Sequence, residues 1–200
     1  MRKRYKKKNI VYVLLKKGNN LIEKYVKDTR KLLIFTILGV VFLFISMRYK
    51  QLFFTVVFII TGALSLIHSR YFKYSHYIGF ELCTLATVLT SLAYGPVTGA
   101  FTGLISITLG FILSGYFKPT YFISVLTMPL LGLVVPFFKN HLSLPFLGLL
   151  MTLIYDAIIL PLYVLLGGSR IPSALIFFVT HILFNYWIFS FVAPILINII

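Results

Sequence analysis

Beyond residue 31 this 200-residue chain holds only two carboxylates, Glu81 and Asp156, and both lie in apolar runs where a charge needs an explanation. Placing an ionisable group at membrane depth costs about 3 kcal/mol, so each such group implies a partner or a task. Asp156 stands about 17 Å from Gly167 at the end of its helix, at 1.5 Å per residue. His181 and Asn185 stand about 14 Å and about 20 Å from Pro172, at the start of the next. Antiparallel helices joined by a short loop bring these three to one depth. His181 and Asn185 are spaced i, i+4 and share a face, which places Asp156 to accept from both. Thr152 and Tyr163 flank Asp156 along its own helix. Glu81 falls about one turn into its helix, with Thr84, Thr87 and Ser91 on the same side. From there it can reach water, or pair with Arg70 or Lys73 in the preceding loop.

Asp156, His181 and Asn185, with Glu81 and Tyr163 beside them, are therefore the candidate substrate-binding residues. Three readings fit them. The first is a clasp between helices whose hydrogen bonds satisfy one another. The second is a pocket that orients a polar ligand. The third is a proton relay, since an imidazole beside a carboxylate titrates near neutral pH. A metal site needs about three or four convergent ligands, and Asp156 with His181 supplies two. The chain has no HExxH, no GxSxG and no Walker glycine loop, so neither catalysis nor a cofactor is expected. Cys83 is the only cysteine, which excludes a disulfide framework and a thiolate metal site.

The elements that must position these groups follow from composition. Hydrophobic side chains make up 60% of the chain and charged ones 12%, with a mean hydropathy of +0.97, far from the soluble range. Apolar runs at 32–47, 52–69, 77–93, 96–115, 120–138, 143–167 and 173–199 approach the length of about 20 residues that a span requires. The expected fold is an all-α polytopic membrane bundle of six or seven transmembrane helices over residues 32–200, preceded by a basic arm over 1–31. Within 95–115, Gly95, Gly99, Thr102, Gly103, Ser106, Gly110 and Ser114 fall on one helical stripe. Small residues let helix backbones approach closely in lipid, so this segment is expected at the centre of the bundle. Pro129, Pro136, Pro161 and Pro194 sit within or near the ends of the later spans, where each removes a backbone donor.

Of 19 Lys and Arg, 12 lie between Arg2 and Lys31. Basic segments beside a span face the cytoplasm and its anionic lipids, so a cytoplasmic N-terminus in the cell membrane is expected. Leu21, Ile22, Tyr25 and Val26 share one face of the arm against Glu23, Lys24, Lys27 and Asp28, a pattern suited to a helix lying on the inner leaflet. No basic face with interleaved aromatics continues past the arm, so a nucleic-acid partner is not expected.

A helix ending at Tyr94, then Gly95-Pro96 and a helix with glycine at every fourth position, and a last helix carrying His181, Phe184 and Asn185 before Pro194, make up a recognisable order. Over residues 77–200 it resembles the substrate-binding S components of energy-coupling-factor vitamin transporters and, less closely, the rod-shape protein MreD. The S-component resemblance implies a six-helix bundle that captures a small-molecule substrate such as a vitamin. It also implies docking onto a membrane T component driven by cytoplasmic ATPases, with His181 and Asn185 lining the pocket. The MreD resemblance implies a non-catalytic scaffold in cell-shape or envelope assembly. A binder predicts Asp156, His181 and Asn185 around a wet cavity open to the outer side; a scaffold predicts them paired and dry.

Overall fold

The computed structural model describes residues 29–71, 78–115 and 118–200. The basic arm, with its expected amphipathic helix, lies outside these up to residue 28, as do Lys73 and His76. Every regular element among the described residues is helical: α1 (Thr29–Arg48), α2 (Lys50–Ser65), α3 (His68–Tyr71), α4 (Cys83–Tyr94), α5 (Pro96–Ser114), α6 (Tyr121–Phe138), α7 (Leu144–Leu165), α8 (Ile171–Phe191) and α9 (Ala193–Ile197). Lipid offers the backbone no hydrogen bonds, and an α-helix satisfies its own. Five stretches are long and apolar enough to cross a membrane: Lys50–Tyr71, which joins α2 to α3, and α5, α6, α7 and α8. This is a helical membrane bundle. The chain divides after Tyr49 into two units, α1 belonging to the first and α2 to α9 to the second.

Proline marks where the helices of the second unit begin. Pro96, Pro145, Pro172 and Pro194 each occupy the first turn of α5, α7, α8 and α9, where the missing N–H has no helical partner to lose. Between α4 and α5 the whole connection is Gly95, at φ 95°, a left-handed conformation that glycine adopts without strain.

Two expected spans differ in the structure. The 77–93 run is helical only from Cys83, so α4 is about 18 Å long, short of the roughly 30 Å of hydrocarbon. Residues 78–82 before it are irregular. The 173–199 run is broken after Phe191, and α9 follows as a separate turn.

The centre of the bundle also differs. The stripe on α5 is buried through Gly99, Thr102, Gly103, Ser106, Gly110 and Ser114, and α5 packs on α2, α4 and α6. Yet α4 is the helix that meets α2, α5, α6, α7, α8 and α9, and residues 83–91 are all buried. Its hydroxyls turn back to its own helix: Thr87 Oγ1 donates to Cys83 O at 2.7 Å and Thr90 Oγ1 to Ala86 O at 2.6 Å. A polar helix can thus be surrounded on all sides because Thr87 and Thr90 bring no unsatisfied donor to the interface, while Tyr94 Oη at its end is buried without a partner.

One of its hydroxyls points outward. Pro136 lacks the N–H that would bond the carbonyl of Gly132 four residues back, and Ser91 Oγ donates to that carbonyl at 2.6 Å instead. Ser91→Ala is expected to lower stability by about 1 kcal/mol, the usual worth of an interhelical hydrogen bond in a membrane bundle. Equilibrium unfolding in mixed detergent micelles reads it.

Candidate functional site

The irregular stretch 78–82 crosses α8 near the middle of that helix. Gly79 N–H donates to Thr180 Oγ1 at 2.9 Å, and a Cβ at Gly79 would overlap the backbone and Cβ of His181. Only glycine lets the irregular segment lie this close. One turn of chain further, Leu82 N–H donates to Ser65 Oγ at 2.9 Å. The carboxylate of Glu81 accepts from the backbone N–H groups of Cys83 and Thr84. It also accepts from Thr84 Oγ1 at 2.5 Å. The first turn of α4 starts inside protein rather than in water, and two of its N–H groups are therefore filled by Glu81. An anionic group at a helix N-terminus is also favoured by the aligned peptide dipoles.

Glu81 is where the structure departs most from expectation. It neither reaches water nor pairs with Arg70: it is 4% exposed, and its Oε1 faces Nε2 of His181 at 3.1 Å. The opposite ring nitrogen, Nδ1, lies 2.8 Å from Oδ1 of Asp156. Asp156 on α7 and His181 on α8 do meet at one depth, as their spacing implies, and both are fully buried. The product is a row of carboxylate, imidazole and carboxylate joining three segments. The rings of Tyr155 and Phe177 pack on the imidazole, with centroids 5.8 and 5.0 Å away.

The remaining candidates do not join the row. Asn185 is buried on the same helix, but its Nδ2 donates to the carbonyl of His181 at 3.1 Å instead of to Asp156. An i, i+4 side chain has that carbonyl within reach, and Asp156 is already held by the ring. Tyr163 lies about two turns further along α7, where its hydroxyl is 2.7 Å from Ser124 Oγ on α6. Thr152 donates to Gly148 O within its own helix.

Hydrogen counting limits what this row can do. Each of the two contacts to His181 holds one hydrogen, so with Oδ2 of Asp156 unprotonated the two carboxyl groups and one imidazole together carry a net charge of −1. Glu81 already accepts from backbone and hydroxyl donors at both oxygens, which makes it an acceptor only, and Nε2–H donates to it. With both ring nitrogens occupied, His181 has no lone pair to offer a metal, and the described residues contain no group of three His, Cys, Asp or Glu side chains arranged to hold one. Oδ2 of Asp156 and Oδ1 of Asn185 are buried without a hydrogen-bond partner.

Asp156→Asn tests whether charge or hydrogen bonding matters at this position. The amide offers both a donor and an acceptor, so it satisfies Nδ1 in either tautomer. A stability change within about 1 kcal/mol is expected, against a loss of about 3 kcal/mol for Asp156→Ala, which leaves the imidazole facing a void.

The signal for the role of Glu81 was present as a short pattern. A glutamate three residues before a threonine, at the start of an apolar run, is a side chain able to fill the first N–H groups of a helix. The glycine two residues earlier allows close passage over a neighbour. Neither residue type says which neighbour. Among known proteins, no family model, no curated protein and no solved structure matches this chain.

Proposed function

We propose that this chain is a non-catalytic membrane scaffold of the MreD kind, acting in cell-shape or envelope assembly from the cell membrane with its N-terminus in the cytoplasm. One observation supports this reading over the others: the candidate polar residues are engaged with one another and withdrawn from the surface. Asp156 and His181 are 0% exposed, and Asn185 likewise, where a pocket for a water-soluble solute needs donors and acceptors turned toward an opening. The row ties the lead-in of α4 to α7 and α8, and α4 itself packs on α2, α5, α6, α7, α8 and α9. Its role in this reading is to hold a helix that begins inside the bundle. The exposed apolar faces of α5 to α8 are then available to lipid and to other membrane proteins.

The test is recovery of the tagged full chain from its native membranes in a mild detergent. Co-purification of envelope-synthesis proteins is the expected result. Recovery with a T component and cytoplasmic ATPases, or with a bound vitamin-sized solute, would overturn the proposal in favour of the S-component reading. That second reading draws on Asp156 Oδ2 and Asn185 Oδ1, two buried acceptors with no donor. A solute bearing two N–H or O–H groups fits them only if the bundle opens.

A further inference from the structure

We infer that the groove between α7 and α8 is a seat for the acyl chain of an anionic lipid, whose headgroup is held by Arg170. The groove has a volume of about 530 Å³ and is lined by Asp156, Leu160 and Val164 on α7 and by Ile171, Ala174 and Phe178 on α8. It starts beside Asp156 and runs toward the 166–170 connection, about 14 Å at the helical rise. Apart from Asp156, whose carboxyl group is turned into the row with His181, its walls are hydrocarbon. Such a channel gives a water-soluble solute nothing to bond, and it matches a methylene chain.

What stands at its mouth decides the class of lipid. Arg170 is the residue before α8, it is exposed, and it makes no ion pair among the described residues. No side chain caps the N–H groups of the first turn of α8 that follows it. Arg170 directly precedes Ile171, where the hydrocarbon lining begins, and a cation carried there together with uncapped backbone donors is complementary to a phosphate or carboxylate headgroup. A zwitterionic lipid would bring a cation to the same place. This inference does not rest on the scaffold reading.

The test uses the full chain in mixed micelles containing equal amounts of phosphatidylglycerol and phosphatidylcholine, with retained lipid counted by native mass spectrometry. Phosphatidylglycerol is expected to be enriched on the wild-type protein. Arg170→Gln should lower that enrichment about fivefold, the worth of one cation at a lipid surface. Ala174→Phe, which fills the groove, should reduce retention of both lipids, and Ala157→Phe on the opposite wall should do the same if the first variant expresses poorly. Lys139→Gln, at a helix end outside the lining of this groove, should change nothing. Equal retention of the two lipids by the wild type, unchanged enrichment in Arg170→Gln, or undiminished retention with the groove filled would each overturn the inference. So would preferential retention of a cationic amphiphile offered in competition.

Discussion

Replacing His181 with leucine is expected to lower the stability of the bundle by about 3–5 kcal/mol, the largest effect of any single substitution in the row. Leucine has nearly the volume of histidine, so the loss does not come from a cavity. It comes from what is left behind. Glu81 keeps the N–H groups of Cys83 and Thr84, but Asp156 has no other partner at Oδ1 and none at Oδ2. An uncompensated carboxylate in a fully buried position must either take up a proton or pull water into the bundle, and both are costly. The double substitution His181→Leu with Asp156→Leu is the informative companion, because removing both partners removes the stranded charge. It should recover most of the loss, since apolar replacements of a buried pair are often close to neutral. Equilibrium unfolding in mixed micelles measures all three variants. If the double variant is as unstable as the single one, the row stabilises through its hydrogen bonds and not through avoidance of a bare charge.

Gly132→Ala is expected to destabilise by about 2–3 kcal/mol, at the upper end for adding a single methyl group to a packed interior. The reason is what the methyl would meet. A Cβ at Gly132 would overlap Ala100 N and Gly99 C, the backbone of α5 itself. Backbone cannot rotate aside, so α5 and α6 would have to separate along their whole contact. Separation would also stretch the bond from Ser91 to Gly132 O, which fills the carbonyl freed by Pro136. Gly148→Ala is expected to cost a comparable amount, because the Cβ there would meet Cγ of Phe189, the root of a fully buried ring with no room to swing clear. A loss under about 0.5 kcal/mol at Gly132 would show that the contact between α5 and α6 is less rigid than its geometry implies.

The pairing of Asp156 with His181 was legible because helical rise is fixed. Two antiparallel helices of known ends must bring residues at equal distance from their shared loop to the same depth, whatever else the chain does. The small-residue stripe was legible for a similar reason, since helical periodicity alone decides which residues share a face. Asn185 shows where such reasoning stops. Spacing puts it on the correct face, but a competing acceptor on its own helix lies nearer than Asp156, and spacing does not rank acceptors. Tyr163 fails differently. It is on the side expected, yet two turns of axial distance set it against Ser124 on another helix.

The sequence by itself determined that this is a helical membrane protein, because continuous apolar runs of about 20 residues match the length of a helix that crosses hydrocarbon and satisfies its own backbone. It also determined which small residues of α5 share one face, because helical periodicity is set by the backbone alone. Only the tertiary structure decided that the 77–93 run begins as irregular chain, that Glu81 faces His181 100 residues away, and that α4 is the central helix. Hydropathy cannot distinguish a helix that crosses lipid from a shorter one sheltered by protein, since both are apolar throughout. The partner of a buried charge is fixed by which backbones can pass close together, as at Gly79 and His181. That is a property of the packed bundle and of no local stretch of residues.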